Sequence, residues 1–164
     1  MTPSRLAAAA ALSLAALTAQ GSTFTVRQMT PETALKAANA AMAKCRAQGY
    51  QVAVAVVDRG GIVQVMLRDR LAGPHTIDVA ANKAWTAVSF KTPTRDLERL
   101  THPGETMSGL RNTPRFTAIG GGLTVEAAGS LLGAIGVSGA PGGDADHACA
   151  AAGIEAVTDE LELQ

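Results

Sequence analysis

Aromatic side chains are scarce in this 164-residue chain, which has only Phe24, Tyr50, Trp85, Phe90 and Phe116. Five rings do not make the stacking platforms that bind single-stranded nucleic acid. Net charge is also absent, because 14 Lys and Arg balance 14 Asp and Glu. No global field therefore recruits DNA or an anionic membrane. No apolar run approaches the ~20 residues of a membrane helix, since Leu6 to Ala19 has only 14. His75, His102 and His147 are the only histidines, and neither H-E-x-x-H nor C-x-x-C occurs, which argues against a classical zinc site. The dinucleotide G-x-G-x-x-G, the P-loop and the G-x-S-x-G elbow are missing too. What is present suits one globular domain. Apolar residues make up 47% of the chain, enough for a core, and charged residues only 17%.

The first 21 residues are set apart. Arg5 is the only charge before Arg27, and the short apolar run that follows ends in small residues. That pattern describes a secretory signal. Ala19-Gln20-Gly21 offers the cleavage site, with Leu17-Thr18-Ala19 as second choice. The other reading is an Ala-rich helix or lipid-surface anchor. Cleavage leaves one domain over residues 22–164, in the periplasm or secreted. An exported chain can pair its two cysteines, Cys45 and Cys149, across a long loop. Two small buried thiols fit the sequence equally well.

Thr30-Pro31-Glu32 starts a helix, with a capping hydroxyl, a first-turn Pro and an early acid. Leu35, Ala38, Met42 and Cys45 then recur at helical spacing. Residues 52–57 are apolar on both faces and read as a buried strand. The Asp58-Arg59-Gly60-Gly61 turn leads to a returning strand, Ile62 to Leu67. Gly73-Pro74 opens a second helix with Ile77, Ala81, Ala84 and Val88 as its stripe. Residues 92–114 read as a short helix near Arg95 to Leu100 and a long loop. Phe116 to Ile119, Leu123 to Val125 and Leu131 to Val137 are three further strands. A last helix is capped by Asp144 or Asp146 and carries Ala150, Ile154, Val157 and Leu161. Hairpins without βαβ spacing give the α+β class, an antiparallel sheet of about five strands with helices packed on it.

His75 lies in the first helical turn, where the dipole disfavours a positive charge and leaves the imidazole a lone pair. That suits a metal ligand or proton acceptor, and equally a solvated side chain. His102 reads as a surface residue and His147 as structural. The turn at residues 139–143 leads into a helix N-terminus, either an anion cradle or a plain turn. Arg68, Asp69 and Arg70 precede His75, Lys83 is two turns beyond it, and Arg111 and Arg115 flank the next strand. They form a basic pocket for carboxylates or a solvated rim.

Five motifs carry a family resemblance. Residues 54–61 resemble the first hairpin of the GlcG/HbpS haem-binding (haem-degrading) family, which includes the PduO C-terminal domain. Arg68-Asp69, Ala72-Gly73-Pro74-His75-Thr76 and Lys83-Ala84-Trp85-Thr86-Ala87 resemble its central helix motif. Gly120-Gly121-Gly122-Leu123 and residues 133–140 resemble its signature strands. Asp146-x-x-Cys149-Ala150 resembles the start of its last helix, with His147 where an acid commonly follows the Asp. The match spans roughly residues 30–160. It implies a profilin-like homo-oligomeric domain that binds haem, with iron-linked haem breakdown, storage or redox sensing in exported members. On that reading His75 is the axial iron ligand, and Arg68, Lys83 and Arg115 contact the propionates. The alternative is an enzyme acting on a small carboxylic or hydroxy acid. His75 is then the general base, Asp69 a second catalytic candidate and an Arg the carboxylate clamp. A third reading is a non-catalytic accessory protein. The Ala-rich helices, with Ala80, Ala81, Ala84 and Ala87 in one, bury little area each and add to the expectation of self-association.

Overall fold

The computed structural model describes residues 22–163, so the secretory-signal expectation lies outside the described residues. The chain runs α1 (Pro31–Ala47), β1 (Ala53–Asp58), β2 (Val63–Arg68), α2 (Thr76–Phe90), α3 (Thr94–Leu100), a 3-10 turn (Ser108–Asn112), β3 (Gly122–Ala127), β4 (Ser130–Ser138), α4 (Gly143–Glu155) and α5 (Thr158–Glu162). The strands form one antiparallel sheet in the order β2-β1-β4-β3. The α+β class holds, with four strands among the described residues rather than five. Phe116 to Ile119 pairs with no strand. Its backbone bonds go to helices instead: Thr117 N–H donates to Thr86 Oγ1 of α2 at 2.9 Å, and Ile119 O accepts from Thr94 Oγ1 of α3 at 2.7 Å. Arg115 also holds a positive φ of 69°, which interrupts an extended run. No helix among the described residues is long and apolar enough to cross a membrane.

The central strand β1 sorts its side chains by period two. Val54 and Val56 join a core with Ala34, Ala37, Ala41, Ile135, Val137 and Ala150 under α1 and α4. Ala53, Ala55 and Val57 face the other way, onto Ala80, Ala84 and Ala87 of α2. The α2 face is built from small residues because the helix lies hard against the sheet. A Cβ at Gly136 would collide with the Ala80 carbonyl oxygen. Of the expected α2 stripe, Ala84 and Val88 are buried and Ala81 is partly buried. Ile77 is half exposed, while Thr76, Ala80 and Lys83 are buried.

The start of α1 is capped, and a disulfide ties the helix to α4. Thr30 caps α1 as the sequence indicates, its hydroxyl accepting from Thr33 N–H. Cys45 and Cys149 form a disulfide between α1 and α4, with Cα atoms 5.5 Å apart. The cap expected at the last helix is not an aspartate. Gly142 occupies it with φ 98° and no side-chain bond. Asp146 is turned inward to a different task.

Candidate functional site

An open cleft of about 360 Å³ lies between the start of α2 and the turn leading into α4. Its lining includes His75, Val79, Lys83, Ser138 and the glycines of the 139–143 turn. That volume is at the low end for small-molecule sites. His75 stands at the rim, as the residue immediately before α2, and its side chain makes no capping bond.

The floor of the cleft is an ion pair. Lys83 Nζ donates to Asp146 Oδ2 at 2.7 Å and to Val137 O at 3.0 Å. The two side chains are only 2% and 5% exposed. Asp146 Oδ1 accepts from Ala140 N–H at 2.9 Å, so one carboxylate fastens both α2 and the 139–143 turn. Burial pushes the Lys83 ammonium below its ordinary pKa, and the Asp146 charge and hydrogen bond oppose the shift. Burial likewise raises the Asp146 carboxyl, against the pull of Lys83 and of the Ala140 amide. Gly121 packs over this pair at φ 118°. A Cβ there would lie 2.7 Å from the Asp146 Cβ and 3.0 Å from Lys83 Nζ, so only glycine fits the conformation and the space.

The structure brings together His75, Lys83 and the 139–143 turn. Other sequence candidates are engaged elsewhere. Arg68 donates to Ala72 O at 2.6 Å. Arg115 lies 4.9 Å over the Trp85 ring and donates to Asn82 at 3.3 Å. Asp69 is buried beneath Arg46, which donates to it through Nε at 2.8 Å and through Nη2. The proposed acid-binding set of Asp69, His75, Lys83 and Arg115 therefore does not line one cleft. Arg111 braces the loop after α3, donating to Thr101 O. His102 is exposed. His147 has a buried Nδ1 without a hydrogen-bond partner, and burial, followed by the nearby Arg95 charge, lowers its pKa.

Asp146 as the partner of Lys83 is the residue that sequence reasoning missed. The signal was present: Lys83 interrupts the run Ala80, Ala84, Ala87, and a lysine on a buried helix face needs a buried anion. Which acid supplies it depends on contacts 63 residues away.

This sheet, with paired helices on one face and a close-packed helix on the other, is shared with solved structures. A crystal structure of a double mutant of Streptomyces reticuli HbpS matches with a TM-score of 0.78 at 37% identity, covering 93% of this chain and 97% of that one. A crystal structure of a PduOC:heme complex matches with a TM-score of 0.74 at 29% identity, over 79% of this chain and 94% of that one. A 15.0 kDa Citrobacter freundii protein from the dhaT-dhaS intergenic region is 35% identical over 116 residues, 70% of this chain and 82% of that protein. The family model for the haem degrading protein HbpS-like group matches residues 29–155. The chain belongs to the HbpS-like family.

Proposed function

We propose that this chain is an exported haem-binding protein that holds haem in the His75 cleft, for breakdown, storage or redox sensing. The observation that carries the reading is an imidazole that makes no capping bond, and has no hydrogen-bond partner among the described residues, at the mouth of a glycine-lined cleft in a chain of the HbpS-like family. The likeness to a haem-complexed structure supports it.

The residues fit the group. Among the described residues, no cluster of three or more His, Cys, Asp or Glu side chains is placed to hold a metal ion alone. A haem group would ask less of the protein, because it brings its own iron with most of the ligands, and His75 would hold it through its imidazole. Haem, when bound, supplies redox-active iron. The chain supplies an apolar wall at Val79 and Ile119, a turn without side-chain bulk at Gly139, Gly142 and Gly143, and a floor of fixed geometry at Lys83 and Asp146. Lys83 is held by Asp146 and Val137 O and is 2% exposed, so it shapes the floor of the cleft.

Haemin titration tests the reading. The mature protein is expected to give a saturable Soret shift, and His75→Ala to weaken binding at least about tenfold, as expected on losing an axial iron ligand. No saturable shift in the mature protein would overturn it.

Export and self-association belong to the same proposal. The Cys45–Cys149 disulfide supports an oxidising compartment, the periplasm or beyond. The sheet edge at β2 and its hairpin turn expose Val63 and Ile62, and Leu71 beyond it is 77% exposed, which supports a homo-oligomer. Light scattering on the mature protein is expected to give a multiple of the single-copy mass. A single-copy mass at every concentration would end that part of the proposal.

A further inference from the structure

A second opening of about 470 Å³ lies at the end of the sheet where α1 stops and β2 leaves, lined by Arg46, Gln51, Asp69 and Arg70. It is separate from the His75 cleft. The two share no lining residue, and α1 packs on the face of β1 opposite to α2.

The lining is basic, and its geometry is fixed from beneath. Asp69 is only 4% exposed, and its Oδ2 accepts from Val52 N–H at 3.3 Å. Its Oδ1 accepts from Arg46 Nε at 2.8 Å and from Arg46 Nη2. A guanidinium carries five N–H donors, so this grip leaves three, among them the fork between Nη1 and Nη2. Those donors have no acceptor among the described residues, and the Arg46 side chain is 56% exposed. Arg70 is exposed in the same opening and likewise has no acceptor among the described residues. Gln51, the remaining lining residue, is uncharged. Two guanidinium groups therefore stand against one carboxylate, and one positive charge is in excess. The negative end of the α1 dipole accounts for a basic residue in the last turn of that helix. It does not account for Arg70, which brings a like charge from a different element to the same opening.

We propose that this opening is an anion-binding site in its own right, which takes a small molecule by a carboxylate or phosphate group between Arg46 and Arg70. Either group presents paired oxygens that match the N–H fork of a guanidinium. The volume lies within the range of small-molecule sites. Asp69 is a positioning residue here. It holds Arg46 in one orientation, so less side-chain freedom is lost when the anion is gripped. The site stands apart from the haem reading and does not rest on it.

Calorimetric titration of the mature protein with inorganic phosphate and with succinate at low ionic strength tests the site. Sodium chloride at matched ionic strength is the control. The same titrations are run on Arg70→Ala, Arg70→Lys and Arg70→Glu, with circular dichroism to confirm folding. Arg46 is left intact, because its loss would strip the buried Asp69 of its partner. Wild type is expected to bind at least one of the two anions saturably, and the one it prefers gives the class of ligand. Arg70→Ala should bind that anion about tenfold more weakly, the scale of a lost charge-assisted hydrogen bond. Arg70→Lys should lose less and Arg70→Glu more. No saturable binding of either anion would overturn the site. So would heat that chloride reproduces, or equal affinity in wild type and Arg70→Ala. Haemin titration of Arg70→Ala is expected to match wild type, and a haemin defect as large as the anion defect would overturn the independence of the two openings. A wild type that binds no haemin overturns the haem reading alone, and the anion titrations still decide this site.

Discussion

Asp146→Asn is expected to lower folding stability by about 3–5 kcal/mol, the usual consequence of removing one partner of a buried ion pair. The reason is geometric. Asp146 serves Lys83 with one oxygen and Ala140 N–H with the other. An asparagine amide has one oxygen, so either the ammonium or the turn loses its acceptor. The ammonium is 2% exposed and water does not replace the carboxylate. Lys83→Met should cost a similar amount, because it leaves Asp146 buried with only the Ala140 amide. The double variant Lys83→Met, Asp146→Asn removes both charges and should be less destabilised than the two single losses added together. Denaturant unfolding of the four proteins measures this. Additive losses, or single variants within about 1 kcal/mol of wild type, would contradict a coupled buried pair. Asp146→Asn should also loosen the 139–143 turn, because Asp146 is the side chain that fastens Ala140.

Removing the disulfide is the second large effect. Cys45 and Cys149 are 104 residues apart, so the bond closes most of the domain into one loop. Chain-entropy arguments give about 4.7 kcal/mol for a loop near 100 residues, and measured native disulfides usually fall within about 2–5. The bond acts by restricting the unfolded chain, and α1 and α4 still pack through Ala37, Ala41 and Ala150 without it. Cys45→Ala, Cys149→Ala should therefore keep the fold and lose about 2–5 kcal/mol. Wild type in reductant should fall to the same unfolding midpoint, while the double variant should be insensitive to reductant. A wild-type midpoint that reductant does not move, with full thiol reduction confirmed, would contradict this account.

Much of the architecture could be read along the chain. The α1 cap at Thr30, the alternation in β1 and the turn at residues 58–61 are local features, and local sterics and hydrogen bonding decide them. Asp58 Oδ1 does hold that turn, accepting from Gly60 and Ile62 N–H at 2.8 and 2.9 Å. The five motifs pointed to the family to which the chain belongs. His75 and Lys83 both stand out in the sequence by helix position and spacing, and both line the cleft.

Other features needed the third dimension. Phe116 to Ile119 has strand-like composition, but an extended segment becomes a strand only where a partner edge is free, and here Thr86 and Thr94 side chains took backbone bonds of the segment. The sequence carries two cysteines, and only the packing of α1 on α4 brought them to 5.5 Å. Asp146 looked like a helix cap because capping acids and buried counter-ions share the same residue type and the same neighbours in sequence. Asp69 and Arg68 sit beside His75 in the chain, yet strand pairing and the turn after β2 directed them to Arg46 and to Ala72. Sequence determines which groups a chain carries and the period at which they recur. Which acid meets which base depends on contacts dozens of residues apart, and those exist only once the sheet and helices have packed.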